Sequence, residues 1–282
     1  MVERQRKRRD GAVALAAAAT GLLLCAAGAT GCSGGTAASD DARTAGDPVE
    51  VLHRAAGNLV RAGTSKARTS MEMATGGTRV TIRGEGVYDF ADQVGRLKVL
   101  LPQDPAGADD HRPITELLAP GALYMKNRGA GVPADKWVRV DTATLSDGNL
   151  VTGGATDPFA AAELLRGART ATYLGRTSVA GTAVRHYRGT ADLTVAARAA
   201  SAGNRAALRA AAKGFATAKV PFDVFLDDQG RVRKVRHRFS FVNGQRENTV
   251  AVASTTLLYD FGAAVDVRLP KADDIFAGRI AE

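Results

Sequence analysis

Apolar residues recur at every second position through segment after segment of this chain, a period that a strand with one buried face satisfies and a helix does not. In the first such segment Val80, Ile82, Gly84, Gly86, Tyr88 and Phe90 form an apolar or small face, and Arg79, Thr81, Arg83, Glu85 and Asp89 form the other. Leu97, Val99 and Leu101 continue the pattern, and residues 121–126, 136–140, 170–179, 184–193, 220–226, 232–242 and 249–259 also read as strands. Residues 128–133 supply one turn, and Asp227-Asp228-Gln229-Gly230 supplies a hairpin loop whose glycine suits a positive backbone angle. Consecutive strands separated by turns predict a large antiparallel sheet.

Three segments break that period. Asp47-Pro48 pairs a capping side chain with proline at the first helical position, and Val51, Leu52, Ala55, Ala56, Leu59 and Val60 follow at helical spacing. This predicts one amphipathic helix closed by Gly63. Asp157-Pro158 repeats the signal ahead of Phe159, Ala162, Leu164 and Leu165. Residues 194–214 are Ala-rich, predicting a helical insertion near 194–219 that is kinked at Gly203-Asn204 and carries Arg205, Arg209 and Lys213 as one basic stripe. Residues 104–115 and 141–156 read as loops. No internal repeat or domain boundary is evident, so residues 47–282 are expected to form a single domain.

The amino terminus obeys different rules. Arg4, Arg6, Lys7, Arg8 and Arg9 crowd the first ten residues, and no charge follows from Gly11 to Ser39. A basic head, an apolar run and then small residues form the layout of a secretory signal. The run closes on Ala29-Thr30-Gly31-Cys32, which resembles the lipobox of bacterial lipoproteins. That resemblance implies a signal peptide over residues 1–31, cleavage before Cys32, and acylation of Cys32. An uncleaved membrane-spanning anchor and a signal cut elsewhere are the competing readings, since about 20 apolar residues suffice to span a bilayer. All three place the rest of the chain outside the cytoplasm, and the first places it on the outer face of the cell membrane. Residues 32–46, rich in Ser, Gly, Ala and Thr, then form a flexible tether holding the domain about 20 Å from the lipid.

Composition sharpens the picture. The formal charge is +9; residues 1–31 hold five basic and two acidic side chains, so their removal leaves +6. Of the two cysteines, Cys25 would depart with the signal, which leaves no partner for a disulfide in the mature chain.

Catalytic signatures are absent from the sequence. It contains no Gly-x-Ser-x-Gly elbow, no phosphate-binding glycine loop, and four isolated histidines, His53, His111, His186 and His237, without metal-ligand spacing. The doublets Asp109-Asp110, Asp227-Asp228 and Asp273-Asp274 sit in loops where solvation accounts for them. The expectation is therefore a protein that is not an enzyme and has no metal or other cofactor. Arg231, Arg233, Lys234, Arg236 and Arg238 interleave with Val232, Val235 and Phe239 as the solvated face of a strand. That run, or the Arg205, Arg209 and Lys213 stripe, is a candidate for facing anionic headgroups at a membrane. Nucleic acid is not an expected partner, because no stacking motif accompanies the basic residues of an exported chain.

The order of several phrases carries a family resemblance. Gly86-Val87-Tyr88-Asp89-Phe90 comes first, then Ala122-Leu123-Tyr124-Met125-Lys126 with Lys136-Trp137-Val138, then Val220-Pro221-Phe222-Asp223-Val224-Phe225-Leu226-Asp227 with Gly230-Arg231-Val232. Tyr259-Asp260-Phe261-Gly262 and Val267-Arg268-Leu269-Pro270 close the series. With the lipobox and the leading helix, this arrangement resembles the actinobacterial LppX/LprG lipoproteins of the wider LolA-like group of lipid and lipoprotein carriers. The resemblance covers residues 47–276. It implies an α+β fold, a curved antiparallel half-barrel sheet packed around helices, with an apolar cavity between them for the acyl chains of a membrane lipid or glycolipid. Strand alternation nominates Val80, Ile82, Leu97, Val99, Phe222, Val224 and Leu226 for its lining. The same fold also serves as an envelope sensor or a module for binding a protein partner, which is the alternative reading.

Overall fold

The computed structural model describes residues 46–75, 78–102, 112–129, 131–243 and 248–278. Residues 1–45 lie outside these, and with them the predicted signal segment, Cys25, Cys32 and nearly all of the tether; His111 and the Asp109-Asp110 doublet lie outside them as well. Eleven strands form one open antiparallel sheet. They are β1 (Thr64–Thr75), β2 (Thr78–Asp89), β3 (Val94–Leu100), β4 (Ile114–Ala119), β5 (Ala122–Lys126), β6 (Val138–Asp141), β7 (Ala168–Val179), β8 (Thr182–Asp192), β9 (Lys219–Leu226), β10 (Val232–Asn243) and β11 (Asn248–Tyr259). The order across the sheet is β6-β5-β4-β3-β2-β1-β11-β10-β9-β8-β7, so two meanders meet where the first strand pairs with the last.

Among the described residues five short α-helices lie on one face of this sheet. The opening helix is divided: α1 (Pro48–His53) and α2 (Ala55–Ala62) meet at Arg54 instead of forming one rod. The predicted cap is in place, with the Val49 amide donating to Asp47 Oδ1 at 2.8 Å, and Gly63 ends α2 at φ 77°. α3 (Pro158–Glu163) is capped by Asp157, and α4 (Leu193–Ala199) and α5 (Ala202–Gly214) form the helical insertion. Their break falls at Ala200-Ser201, not at the predicted Gly203-Asn204, because the carboxylate of Glu163 draws Ser201 and Asn204 onto itself and fixes the start of α5 there.

Strand β4 also corrects the sequence reading, which ended a loop at residue 115 and assigned no strand between 101 and 121. Strand β1, absent from the predicted set, occupies the centre of the sheet.

Strands β2 and β3 come close together where glycines replace side chains. A Cβ on Gly86 would sit 1.8 Å from the carbonyl oxygen of Arg96, and one on Gly95 would meet the Tyr88 ring at 2.4 Å. Bare backbone at these sites lets β2 and β3 approach and leaves room for the Tyr88 ring over Gly95. The edge strand β6 is covered by the carboxy-terminal segment: the Trp137 amide donates to Asp274 O at 2.8 Å, and the Phe276 amide to Trp137 O at the same distance. This disposes of edge groups that would otherwise template another strand.

Candidate functional site

The helix-covered face of the sheet is the first place to look for a site. Six of the seven residues nominated from alternation, Ile82, Leu97, Val99, Phe222, Val224 and Leu226, are buried on it, and Val80 is half-buried beside them. Phe222, Val224 and Leu226 belong to β9, and Ile82, Leu97 and Val99 to β2 and β3, so the two groups lie on opposite sides of the central β1–β11 pair. Helices cover the centre and the β7–β9 flank of this face, burying Leu59 of α2, Phe159 of α3 and Leu193 of α4 among small side chains that include Ala55, Ala56, Ala161, Ala162, Ala196 and Ala197.

A different kind of cover lies over β2–β5. Residues 145–156, irregular in backbone, turn inward and bury Leu150, Val151 and Ala155. At Gly154 they meet the sheet without a side chain. A Cβ built on Gly154 would touch Ile82 at 3.4 Å and Val99 at 3.5 Å, and Ala155 Cβ lies 3.5 Å from where a Cβ on Gly84 would be.

Buried irregular backbone must satisfy its own polar groups. This segment does so internally. Asp147 accepts from the amides of Asn149 (3.0 Å), Val151 (2.7 Å) and Thr152 (2.6 Å), and Asn149 Oδ1 accepts from Gly153 (3.0 Å). Amides of Gly148, Leu150 and Gly154 donate to carbonyls of the same segment. Thr156 donates to Leu150 O within the segment, and the segment's side-chain ties to the surrounding structure include the Thr156–Ser254 hydroxyl pair at 2.5 Å and Arg128, which donates to Thr152 O at 3.3 Å.

Under the same segment lies Glu116 of β4. It is fully buried, and neither carboxylate oxygen has a hydrogen-bond partner among the described residues. Loss of solvent raises its pKa to about 8, only partly opposed by the charge of Arg128. Alternation hid this residue: Ile114 and Leu118 share its face, so a carboxyl between them was the available signal.

Two other titratable groups are buried, and one of them holds a helix. Asp157 accepts from the amides of Phe159 and Ala160 and from Tyr88 Oη at 3.1 Å, and burial raises it to about 6 against those hydrogen bonds. His237, on β10, has its pKa lowered to about 3 by burial, and its Nε2 has no hydrogen-bond partner among the described residues.

The hollows are unequal. One of about 130 Å³ opens among Asp147, Val151, Phe215 and Phe241, at the rim between the 145–156 segment, the end of α5 and β10. A larger trough of about 460 Å³ lies on the outer face of the sheet, among Arg68, Ser70, Arg83, Lys98, Leu100 and Leu257. The predicted basic stripe is exposed on α5, where Ala207, Leu208 and Ala211 face inward and Arg205, Arg209 and Lys213 face away from the sheet. The dense basic run of β10 is engaged by neighbours: Arg238 and Arg188 both donate to Asp223, Arg236 reaches Glu72 at 3.5 Å, and Arg233 lies over the Phe261 ring. Burial alone would raise the pKa of Asp223, but hydrogen bonds from Arg188, His186 and Arg238 hold it below the usual carboxylate range. Among the described residues no group of three or more His, Cys, Asp and Glu side chains is placed to hold a metal ion, and no helix is long and apolar enough to cross a membrane.

The arrangement defines an α+β protein with an open antiparallel sheet closed on one side by short helices and a buried loop. Solved structures similar to it include lipoprotein LppX of Mycobacterium tuberculosis, at 10% identity over 78% of this chain and 99% of that one, with a TM-score of 0.43. LprF of Mycobacterium bovis matches at 13% identity over 79% of this chain and 96% of its own, with a TM-score of 0.38. A LolA-superfamily protein of Nitrosomonas europaea matches at 11% identity over 76% and 94%, with a TM-score of 0.33. No protein-family model matches the sequence, and no curated protein does.

Proposed function

We propose that this chain is an exported, membrane-anchored lipoprotein that takes the acyl chains of a membrane lipid or glycolipid between the helix-covered face of its sheet and the 145–156 segment, without catalysing a reaction. The observation that carries this reading is the cover over Ile82, Leu97 and Val99. It is an irregular loop that meets Ile82 and Val99 through Gly154 and whose backbone hydrogen bonds are largely its own, so it can leave the sheet as a unit and keep them. Apolar strand residues of the half-barrel would then meet acyl chains in place of the loop, which recovers the burial that the displacement removes. The hollow beside Phe241 is the point of entry in this reading.

Native mass spectrometry of protein extracted from membranes tests it. The expected spectrum contains a releasable mass in the range of an acyl-chain lipid, and Phe241→Arg, at the half-buried rim, lowers the occupied fraction at least threefold with the fold intact by circular dichroism. A folded wild-type protein carrying no releasable lipid would overturn the proposal. The anchor has its own measurement: the peptide beginning at Cys32 is expected to carry a diacylglyceryl mass increment, and an unmodified Cys32 in membrane-extracted protein would refute lipidation there.

A further inference from the structure

A hollow of about 460 Å³ belongs to the face of the sheet that no helix covers. Its chemistry differs from that of the helix-covered face. Cross-strand pairing sets Thr255 beside Ser70, Ser70 beside Arg83 and Arg83 beside Leu100, so two hydroxyls, a guanidinium and an apolar side chain form a single row. The neighbouring row runs Leu257, Arg68, Glu85, Lys98. Glu85 is engaged by Arg68 at 3.4 Å, and Glu72, two residues beyond Ser70 on the same face, by Arg236 at 3.5 Å. Arg83 and Lys98 are exposed and have no acidic partner among the described residues. Leu100 between them is 50% exposed.

Uncompensated cations beside a solvent-facing leucine match one surface better than a soluble anion: an anionic bilayer, which offers phosphates at its headgroup level and hydrocarbon just below. We infer that the outer face of β1–β3 is the side on which this protein lies against an anionic lipid bilayer, with Arg83 and Lys98 on headgroup phosphates and Leu100 entering the interface. The basic stripe of α5 points away from the sheet on the helical side, so the two surfaces make opposite predictions about orientation. In the outer-face orientation the 145–156 segment and the hollow beside Phe241 look away from the bilayer. The inference builds on the proposed membrane attachment, and its test reports on that attachment separately.

The full-length chain is reconstituted into vesicles of phosphatidylcholine alone, or with about a third phosphatidylglycerol, and its lysines are acetylated briefly and quantified by peptide mass spectrometry. Co-flotation with the phosphatidylcholine vesicles reports the attachment. The expected result is that phosphatidylglycerol slows acetylation of Lys98 at least fivefold, that about 0.5 M salt restores it, since screening then acts within a few ångströms, and that Lys213 on α5 reacts alike in both vesicles. Arg83→Glu is expected to abolish the protection of Lys98 while acetylation of Lys213 stays unchanged. Equal reactivity of Lys98 in the two vesicle types, or protection of Lys213 in its place, would overturn the inference.

Discussion

Replacing Glu116 with glutamine is expected to make the protein more stable at pH 8 and to flatten its dependence on pH. The buried carboxyl holds its proton until about pH 8, whereas in the unfolded chain it ionises near the model-peptide value of 4.5. Between those values the folded state binds the extra proton, so stability falls as pH rises and the loss is complete above pH 8. The full span corresponds to on the order of 5 kcal/mol. Asp157, raised to about 6, acts in the same direction at lower pH, and its contribution is finished by then. His237 acts the opposite way: held neutral down to about pH 3, it costs stability as pH drops below 6.5, where the unfolded histidine takes up a proton. Among these three groups, the interval from pH 6.5 to 8 therefore belongs to Glu116. Urea titrations of wild type across it should show falling stability, and Glu116→Gln should remove that slope. An unchanged slope would mean that the carboxyl is paired in solution.

Gly86→Ala is the substitution expected to do most damage. Its new methyl group would land 1.8 Å from the Arg96 carbonyl oxygen, a backbone atom that cannot step aside without parting β2 from β3. Overpacking that forces backbone to move costs about 3 kcal/mol or more, and for a chain of this size the midpoint of thermal unfolding should fall by roughly 10 °C. Calorimetry measures it directly. An alanine at Gly57, exposed to nothing closer than Arg61 at 3.7 Å, is the matched control and should leave the midpoint within a few degrees.

These two sites show what alternation reveals and what it hides. Strands β2, β3, β9 and β10 were legible because their inward residues are Ile, Leu, Val and Phe against charged outward neighbours. Strand β1 was not, since its first three inward positions, Ser65, Ala67 and Thr69, are small or polar and only Met71 and Met73 beyond them are apolar, too short a run for a face to stand out. β4 escaped because Glu116 interrupts its apolar face. Both helix caps with Asp-Pro were legible because the side-chain acceptor and the fixed proline angle act locally. The α4–α5 break was misplaced because its cause, Glu163, is distant in sequence. Alternation likewise named the residues facing the helices, but their cover depends on how residues 145–156 satisfy their own backbone, and hydrophobic period carries no record of that.

The seam between β1 and β11 has a kinetic consequence. Lys66 and Asp260, paired across it at 2.9 Å, stand 194 residues apart in the chain. Each meander can assemble from hairpin neighbours, but the inner edge of β1 has no partner until β11 emerges. Closing so long a loop is slow, and until it closes the inner edge of β1 is an open template for the wrong strand. Refolding should therefore be limited by this one pairing, and a chain cut before Asn248 would leave two half-sheets that cannot be joined through β11.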